Sequence, residues 1–254
     1  MIVNVNLRNL TVVIKFLFLL YILSCLSACS SNRNVNLYVF LGPPCAGKGT
    51  LAQTLKQQGY SHLSTGDLLR NEVKNETYLG KKFRKEIEDG SILIPDHILE
   101  EIIEKHVLKA TNEGKNIIMD GFPKTIEQAY FLKKISKKYK IHNLKCILFS
   151  LTEQNAFLRS KGRYSCVNCG YIYNIDRDNL KENQSCDHCQ GTLIHRMSDN
   201  PKSIRRKIDF FNSTSKVLID FYKKENALIV LDGNNTKKKI LQNFDLLIKK
   251  TKNI

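Results

Sequence analysis

Two groups of residues have the types and spacing to do chemistry. The first is Gly42-Pro43-Pro44-Cys45-Ala46-Gly47-Lys48-Gly49-Thr50, which fits the pattern G-x-x-x-x-G-K. In such a loop successive backbone N–H groups converge, and a helix starting there adds its positive end, so phosphate oxygens are held. Lys48 would reach the β- and γ-phosphates as a mobile point charge. The strict pattern has Ser or Thr directly after the lysine, whereas here Gly49 precedes Thr50. The alternative is an ordinary glycine turn before a helix.

The second group is Cys166-x₂-Cys169-x₁₆-Cys186-x₂-Cys189. Two C-x-x-C knuckles at this separation read as a tetrahedral Zn²⁺ site of four thiolates. Two disulfides are the alternative if the chain reaches an oxidising compartment. Residues 164–193 around them are polar and lack a helical period, so metal ligation would supply much of their folding energy. His188, inside the second knuckle, is an available ligand expected to face solvent. Zinc ribbons also occur in nucleic-acid-binding proteins; a structural metal is the simpler reading here.

These groups need rigid elements to hold them. Residues 36–41 (NLYVFL) form a short apolar run ending at Gly42, the pattern of a buried parallel strand. Residues 117–120, 144–150 and 227–232 are three more such runs. Helical patterns occupy residues 50–58, 96–108, 125–139 and 201–224, the last with Pro201 tolerable in its first turn. Strands alternating with helices imply an α/β fold whose parallel sheet is covered on both faces. Residues 164–193 read as a small separate lobe inserted in it.

The 254 residues, 42% hydrophobic and 25% charged with 5 Pro and 13 Gly, exclude a disordered or fibrous chain. They suit one α/β domain with insertions, or at most two small ones. A net charge of +16 would prompt a nucleic-acid reading. The 30 lysines, however, are strewn along the whole chain, so no nucleic-acid partner is expected, only a general preference for anionic ligands. Residues 1–30 are set apart. Arg8 and Lys15 precede the uncharged apolar run 16–26 and then Ser27-Ala28-Cys29, the layout of a signal peptide. The run is short for a transmembrane helix, and residues 26–29 also resemble a lipoprotein box. An uncleaved anchor, or residues upstream of the true start, are the alternatives. Membrane contact is expected only through this segment.

Ser64-Thr65-Gly66-Asp67-Leu68-Leu69-Arg70 and Asp120-Gly121-Phe122-Pro123-Lys124, taken with the loop GPPCAGKGT, resemble the adenylate kinases among the nucleoside monophosphate kinases. The resemblance runs from about Val35 to the C-terminus. It implies one domain over 35–254 with a five-stranded parallel-sheet core. A monophosphate-binding lobe falls at 64–94 and a zinc-bearing lid at 162–199, in a monomer catalysing ATP + AMP ⇌ 2 ADP with Mg²⁺. It implies that Arg70 grips the AMP phosphate, Arg159 and Arg163 bridge toward the transferred phosphoryl, and Arg196 swings in from the lid. Asp120 would hold Mg²⁺ through water. ATP would meet Cys45, Ala46, Gly47, Lys48, Gly49, Thr50, Arg163, Ile172, Tyr173 and Asn235. AMP would meet Thr65, Arg70, Leu93, Ile94, Gly121, Lys124, Gln128, Arg196 and Lys207. Thr65, where uridylate–cytidylate kinases usually carry Ala, favours AMP; GTP is the alternative donor.

Three residues depart from the family pattern. Cys45 replaces a glycine, and strains the loop if that position has φ > 0. Lys124 and Lys207 replace arginines, keeping the charge but losing the two-point grip on phosphate. Arg206 beside Lys207 points about 100° away on a helix. A weakened nucleotide-binding paralogue acting as sensor or scaffold is therefore the alternative function. An ATP-consuming enzyme lacks substrate outside the cell, which favours an organelle, plastid or mitochondrion, over a cytoplasmic or membrane-anchored location.

Overall fold

The computed structural model describes residues 34–89, 94–178 and 185–252. The leader reading for residues 1–30, with Cys25 and Cys29, lies outside them, as does Leu93. Among the described residues no helix is long and apolar enough to cross a membrane.

Strand β1 (Asn36–Leu41) is buried along its whole length, as a central parallel strand covered on both faces must be. Its alternate side chains enter two separate apolar layers, because successive residues of a strand point to opposite faces. Leu37, Val39 and Leu41 pack with Ile103 and Val107 of α5 (Asp96–Asn112), Leu132 of α6 (Ile126–Lys138) and Leu218 of α9 (Pro201–Lys224). Tyr38 and Phe40 face Leu51 and Leu55 of α1 (Lys48–Gln57), with Ile240, Phe244 and Ile248 of α10 (Lys237–Lys252).

The sheet has five strands in the order β2-β3-β1-β4-β8, all parallel. β3 is Ile117–Asp120, β4 Asn143–Ser150 and β8 Leu228–Asp232, within a residue of the apolar runs read from the sequence. β2 (Ser61–Ser64) has the sequence SHLS and only Leu63 buried; an edge strand this short and polar carries no apolar run to find. Helix α9 starts as expected, with Pro201 in its first turn and the Asn200 side chain accepting from Ser203 N–H at 2.9 Å. α5 continues four residues beyond residue 108.

Two excursions leave this core. After β2 come α2 (Thr65–Lys74), α3 (Tyr78–Lys82) and α4 (Arg84–Asp89). After β4, α7 (Glu153–Lys161) leads into a three-stranded antiparallel sheet ordered β6-β5-β7. Its strands are β5 (Arg163–Cys166), β6 (Ile172–Asn174) and β7 (Leu193–His195). The described part of the cysteine-rich segment does contain a helix, α8 (Ile175–Asp178), a single turn too short to show a period. The lobe's apolar centre is small: Cys166, Tyr173 and Cys186, with Tyr164, Tyr171 and Leu193 against them.

Candidate active site

In an open parallel sheet, ligands bind past the carboxyl ends of the strands, where loops and helix starts converge. A cavity of about 550 Å³ lies there. Its floor is the loop after β1. Gly47, φ 95°, caps α1 in the left-handed region, which glycine enters without steric cost. Lys48 folds back across the loop, donating to the carbonyls of Gly42 and Pro43, both at 2.7 Å. Burial lowers its pKa, opposed by Asp120 and Cys45. The glycine that separates Lys48 from Thr50 has a spatial reason: a Cβ on Gly49 would come within 2.8 Å of Ile172 Cδ1, so the cysteine lobe rests directly on the loop.

Cys45 has φ 61°, so the condition for strain is met. A non-glycine residue in that region costs of order 1 kcal/mol or more. Its side chain lies against the small apolar cluster of Ala156, Ile204 and Ile208.

The side chains of Lys48, Arg70, Lys124, Arg159, Arg163, Arg196 and Lys207 all line the cavity, brought from seven separate elements or loops. Arg70, on α2, pairs with Asp67 one turn earlier. Arg159, on α7, donates to the Cys45 carbonyl at 3.3 Å. Arg163, opening β5, clamps both carboxylate oxygens of Asp199, whose side chain is fully buried. Arg196, after β7, donates to Ser165 Oγ at 3.2 Å and lies 4.0 Å from Asp67. Lys207, on α9, donates to Ser198 O at 2.7 Å and lies 4.0 Å from Asp199. Arg206 is exposed and turned to Ser203, away from the cavity.

This crowding of cations has an electrostatic signature. Burial, with Arg163 and Arg70 adding repulsion, pushes Arg196 down to about 10. Burial pushes Lys207 down to about 8 despite Asp199, and lowers Lys124 despite Asp120. Burial alone would raise the Asp199 carboxyl, but the Arg163 guanidinium overcomes it and holds the group below its ordinary range. Charged groups this depressed are short of negative partners, so an anion entering the cavity is favoured.

Asp120 ends β3 and lines the same cavity with Thr50, Gly121 and Thr65; Thr65 Oγ1 donates to the Asp120 carbonyl at 3.4 Å. Cys45, Ala46, Ile172, Tyr173 and Asn235 complete this part of the wall. Two assigned residues are not part of it. Ile94 is buried and does not line the cavity. Gln128 is held at both ends of its amide, donating to Asp96 Oδ1 at 2.6 Å and accepting from Lys124 N–H at 2.7 Å. The cause is packing: Thr125 caps α6 and turns Gln128 inward against α5.

Sequence reasoning missed Asp199, Asp67 and Gln53, which lines the cavity from α1. Asp199 carried a usable signal, an acidic residue among Arg196, Lys202 and Arg205 just before a long helix. Gln53 carried none.

The four knuckle sulfurs lie within 4.8 Å of one another. Cys166–Cys189 and Cys169–Cys186 are 3.4 and 3.6 Å apart, and all four cysteines are free. A tetrahedral zinc–thiolate centre with bonds of about 2.3 Å separates sulfurs by roughly 3.8 Å, so the cluster fits a metal rather than two disulfides. Tyr173 OH lies 3.4 Å from Cys186 Sγ and Asn168 N–H donates to Cys166 Sγ at 3.4 Å. Although burial raises it, hydrogen bonds from Tyr173 and neighbouring groups bring Cys186 down to about 6, a thiolate suited to metal. His188 is exposed and stacks on Tyr171, ring centroids 3.8 Å apart. Cys146 is buried in the sheet.

The sequence model of one family, "Adenylate kinase", matches residues 40–227. The adenylate kinase of Borrelia recurrentis (strain A1) is 37% identical over 213 residues, covering 84% of this chain and 96% of that protein. The adenylate kinase of Thermosipho melanesiensis is 36% identical over 217 residues, 85% and 97% of the two chains. That of Treponema denticola is 34% identical over 207 residues, 81% and 96%.

Proposed function

The chain belongs to the adenylate kinase family and is a nucleoside monophosphate kinase, and from that premise we propose that it transfers the γ-phosphoryl of ATP to AMP, giving two ADP. The single observation that carries this reading is the convergence of seven side-chain cations with Asp120 on one cavity at the strand ends. Phosphoryl transfer asks little else of a protein: in-line positioning, and positive charge on the equatorial oxygens of the group in flight.

In the proposed reaction an oxygen of the AMP phosphate attacks the γ-phosphorus as the bond to the β–γ bridging oxygen breaks, and that oxygen leaves as part of ADP. The loop N–H groups and Lys48 hold the β- and γ-phosphates. Arg70, with Lys124, holds the AMP phosphate. Arg159, Arg163, Arg196 and Lys207 face the charge that develops between them. Thr65 reads the acceptor base, which supports AMP over pyrimidine nucleotides. Enzymes of this family use Mg²⁺ with ATP, which neutralises phosphate charge. Asp120 and Thr50 fit it, since Mg²⁺ takes one or two protein oxygens and keeps its waters. The four knuckle cysteines are read as ligands of a structural Zn²⁺.

Residues 1–30 are read as a targeting or anchoring segment leading to an organelle, supported by their basic–apolar–small order; the location of a fluorescent fusion tests it. Light scattering tests the monomer.

³¹P NMR of ATP–Mg²⁺ with AMP, and in parallel with CMP, UMP or GMP, tests the main proposal, with GTP as a second donor. ADP formed from ATP and AMP is the expected result. Nucleotide binding without turnover for any pair would overturn it and mark Cys45, Lys124 and Lys207 as signs of lost activity.

A further inference from the structure

We infer that Gln53 is the positioning residue that seats the cysteine lobe on the phosphate loop, through a two-point grip of its amide on the backbone at Gly170 and Ile172. Its kinetic consequence rests on the nucleotide-site reading above; the grip itself does not.

Gln53 projects from α1, half-buried at the cavity wall. Its Nε2 donates to the Gly170 carbonyl at 2.8 Å, and its Oε1 accepts from Ile172 N–H at 3.1 Å. These partners lie more than a hundred residues away in sequence. A primary amide offers donor and acceptor in one plane, matching the Gly170 carbonyl and the Ile172 N–H two residues on, where the knuckle turn enters β6. β6, which begins at Ile172, is an edge strand of the lobe's sheet, and an edge leaves an outward N–H such as that of Ile172 without a ladder partner. Gln53 therefore stands in for a neighbouring strand.

The grip depends on a folded knuckle. Gly170, φ +71°, closes the turn of the first C-x-x-C pair, and its N–H donates to Cys166 O at 3.0 Å. The grip in turn fixes Ile172, whose Cδ1 covers Gly49 next to Lys48. One side chain thus connects the cysteine cluster, the lobe and the phosphate loop. Two other links from the lobe are weaker. The Lys237–Asp178 ion pair is partly exposed, and such pairs contribute little. Lys74 reaches the Val167 carbonyl only at 3.5 Å, on an exposed surface.

The test uses the full chain, reduced and supplied with zinc, as wild type, Gln53→Met and Gln53→Glu. Met keeps the length and removes both hydrogen bonds. Glu keeps an acceptor for Ile172 but turns a second one on the Gly170 carbonyl. Amide exchange read by NMR should be roughly 30-fold faster at Ile172 in Gln53→Met, from two hydrogen bonds of ordinary strength. Cys166 N–H, bonded to Tyr171 O inside the lobe at 2.9 Å, should be unchanged. The KM for the donor nucleotide should rise about 10- to 30-fold, with that for the acceptor within about twofold. Gln53→Glu should be at least as impaired, and should recover as the pH falls and its carboxyl gains a proton to donate. Unchanged exchange at Ile172, or equal loss of protection at Cys166, would overturn the inference. If wild type shows no turnover, the functional reading fails alone and the exchange rates still decide the grip.

Discussion

Asp199→Asn removes the charge at the hinge of the cysteine lobe and keeps its shape. The wild-type carboxylate is fully buried, clamped by Arg163, which is 17% exposed, with Lys207 4.0 Å away. Breaking a buried ion pair from one side costs about 3–5 kcal/mol, because the remaining charge stays buried without its counterpart. Asn retains one acceptor for Arg163, and the cavity hydrates the guanidinium in part, so the expected cost is about 2–3 kcal/mol. At about 2–4 °C per kcal/mol for a domain of this size, Tm should fall by roughly 4–12 °C, read by thermal unfolding at pH 7. Arg163→Met, made alone and with Asp199→Asn, completes a double-mutant cycle in which the two effects should fall short of additive by about 1–2 kcal/mol. The pH dependence has a definite sign. Asp199 is held below its unfolded pKa, so its stabilisation is present above the ordinary carboxylate range and is lost as pH falls below it. Wild type should therefore lose stability in acid faster than Asp199→Asn. A Tm drop under about 2 °C, or strict additivity in the cycle, would refute the view that this pair holds the hinge.

Further outcomes follow from the same geometry. Cys45→Gly should raise stability by up to about 1 kcal/mol in urea titration, since glycine accepts φ 61° without strain; a loss greater than about 1 kcal/mol would show that the thiol's contact with Ala156 and Ile204 outweighs the strain. Because Lys207 is pushed down to about 8, it is charged below that pH, and a bound phosphate would hold its proton. Nucleotide affinity should thus weaken as pH rises from about 7 to 9, by at most about tenfold per unit. Lys207→Arg should flatten that dependence in isothermal titration, since a guanidinium stays charged throughout, and Lys124→Arg and Lys207→Arg should each raise turnover or leave it level. Stripping metal with a chelator should cost β5, β6 and β7 their hydrogen-exchange protection, because the lobe's apolar centre is so small, while β1, β3 and β4 keep theirs; equal loss in the sheet would contradict a lobe folded by its own metal.

How much of this was legible in the sequence depended on how local each feature is. The phosphate loop is nine contiguous residues whose backbone geometry is set by their own glycines, and each knuckle is a four-residue turn. β1, β3 and β4 were visible because inner strands covered on both faces are apolar with little interruption, and β8, the other edge strand, because its run LIVLD is apolar although Val230 is exposed. β2 escaped because an edge strand is free to read SHLS. The family motifs indicated which cations belong together, and the fold does bring Lys48, Arg70, Lys124, Arg159, Arg163, Arg196 and Lys207 to one cavity. What those cations touch inside the protein was not legible. Arg163 meets Asp199 36 residues away, and Gln53 meets Ile172 119 residues away. Gln128, assigned to a base, turns to Asp96. No spacing encodes such pairs, because they arise only when separate elements pack and each buried polar group must find a partner. Sequence alone determined the phosphate loop, the two cysteine knuckles and the layered sheet, since each is a local pattern. Tertiary structure decided which carboxylates restrain the cations, what rests on Gly49 and where Cys45 is strained, because those are properties of chain segments meeting.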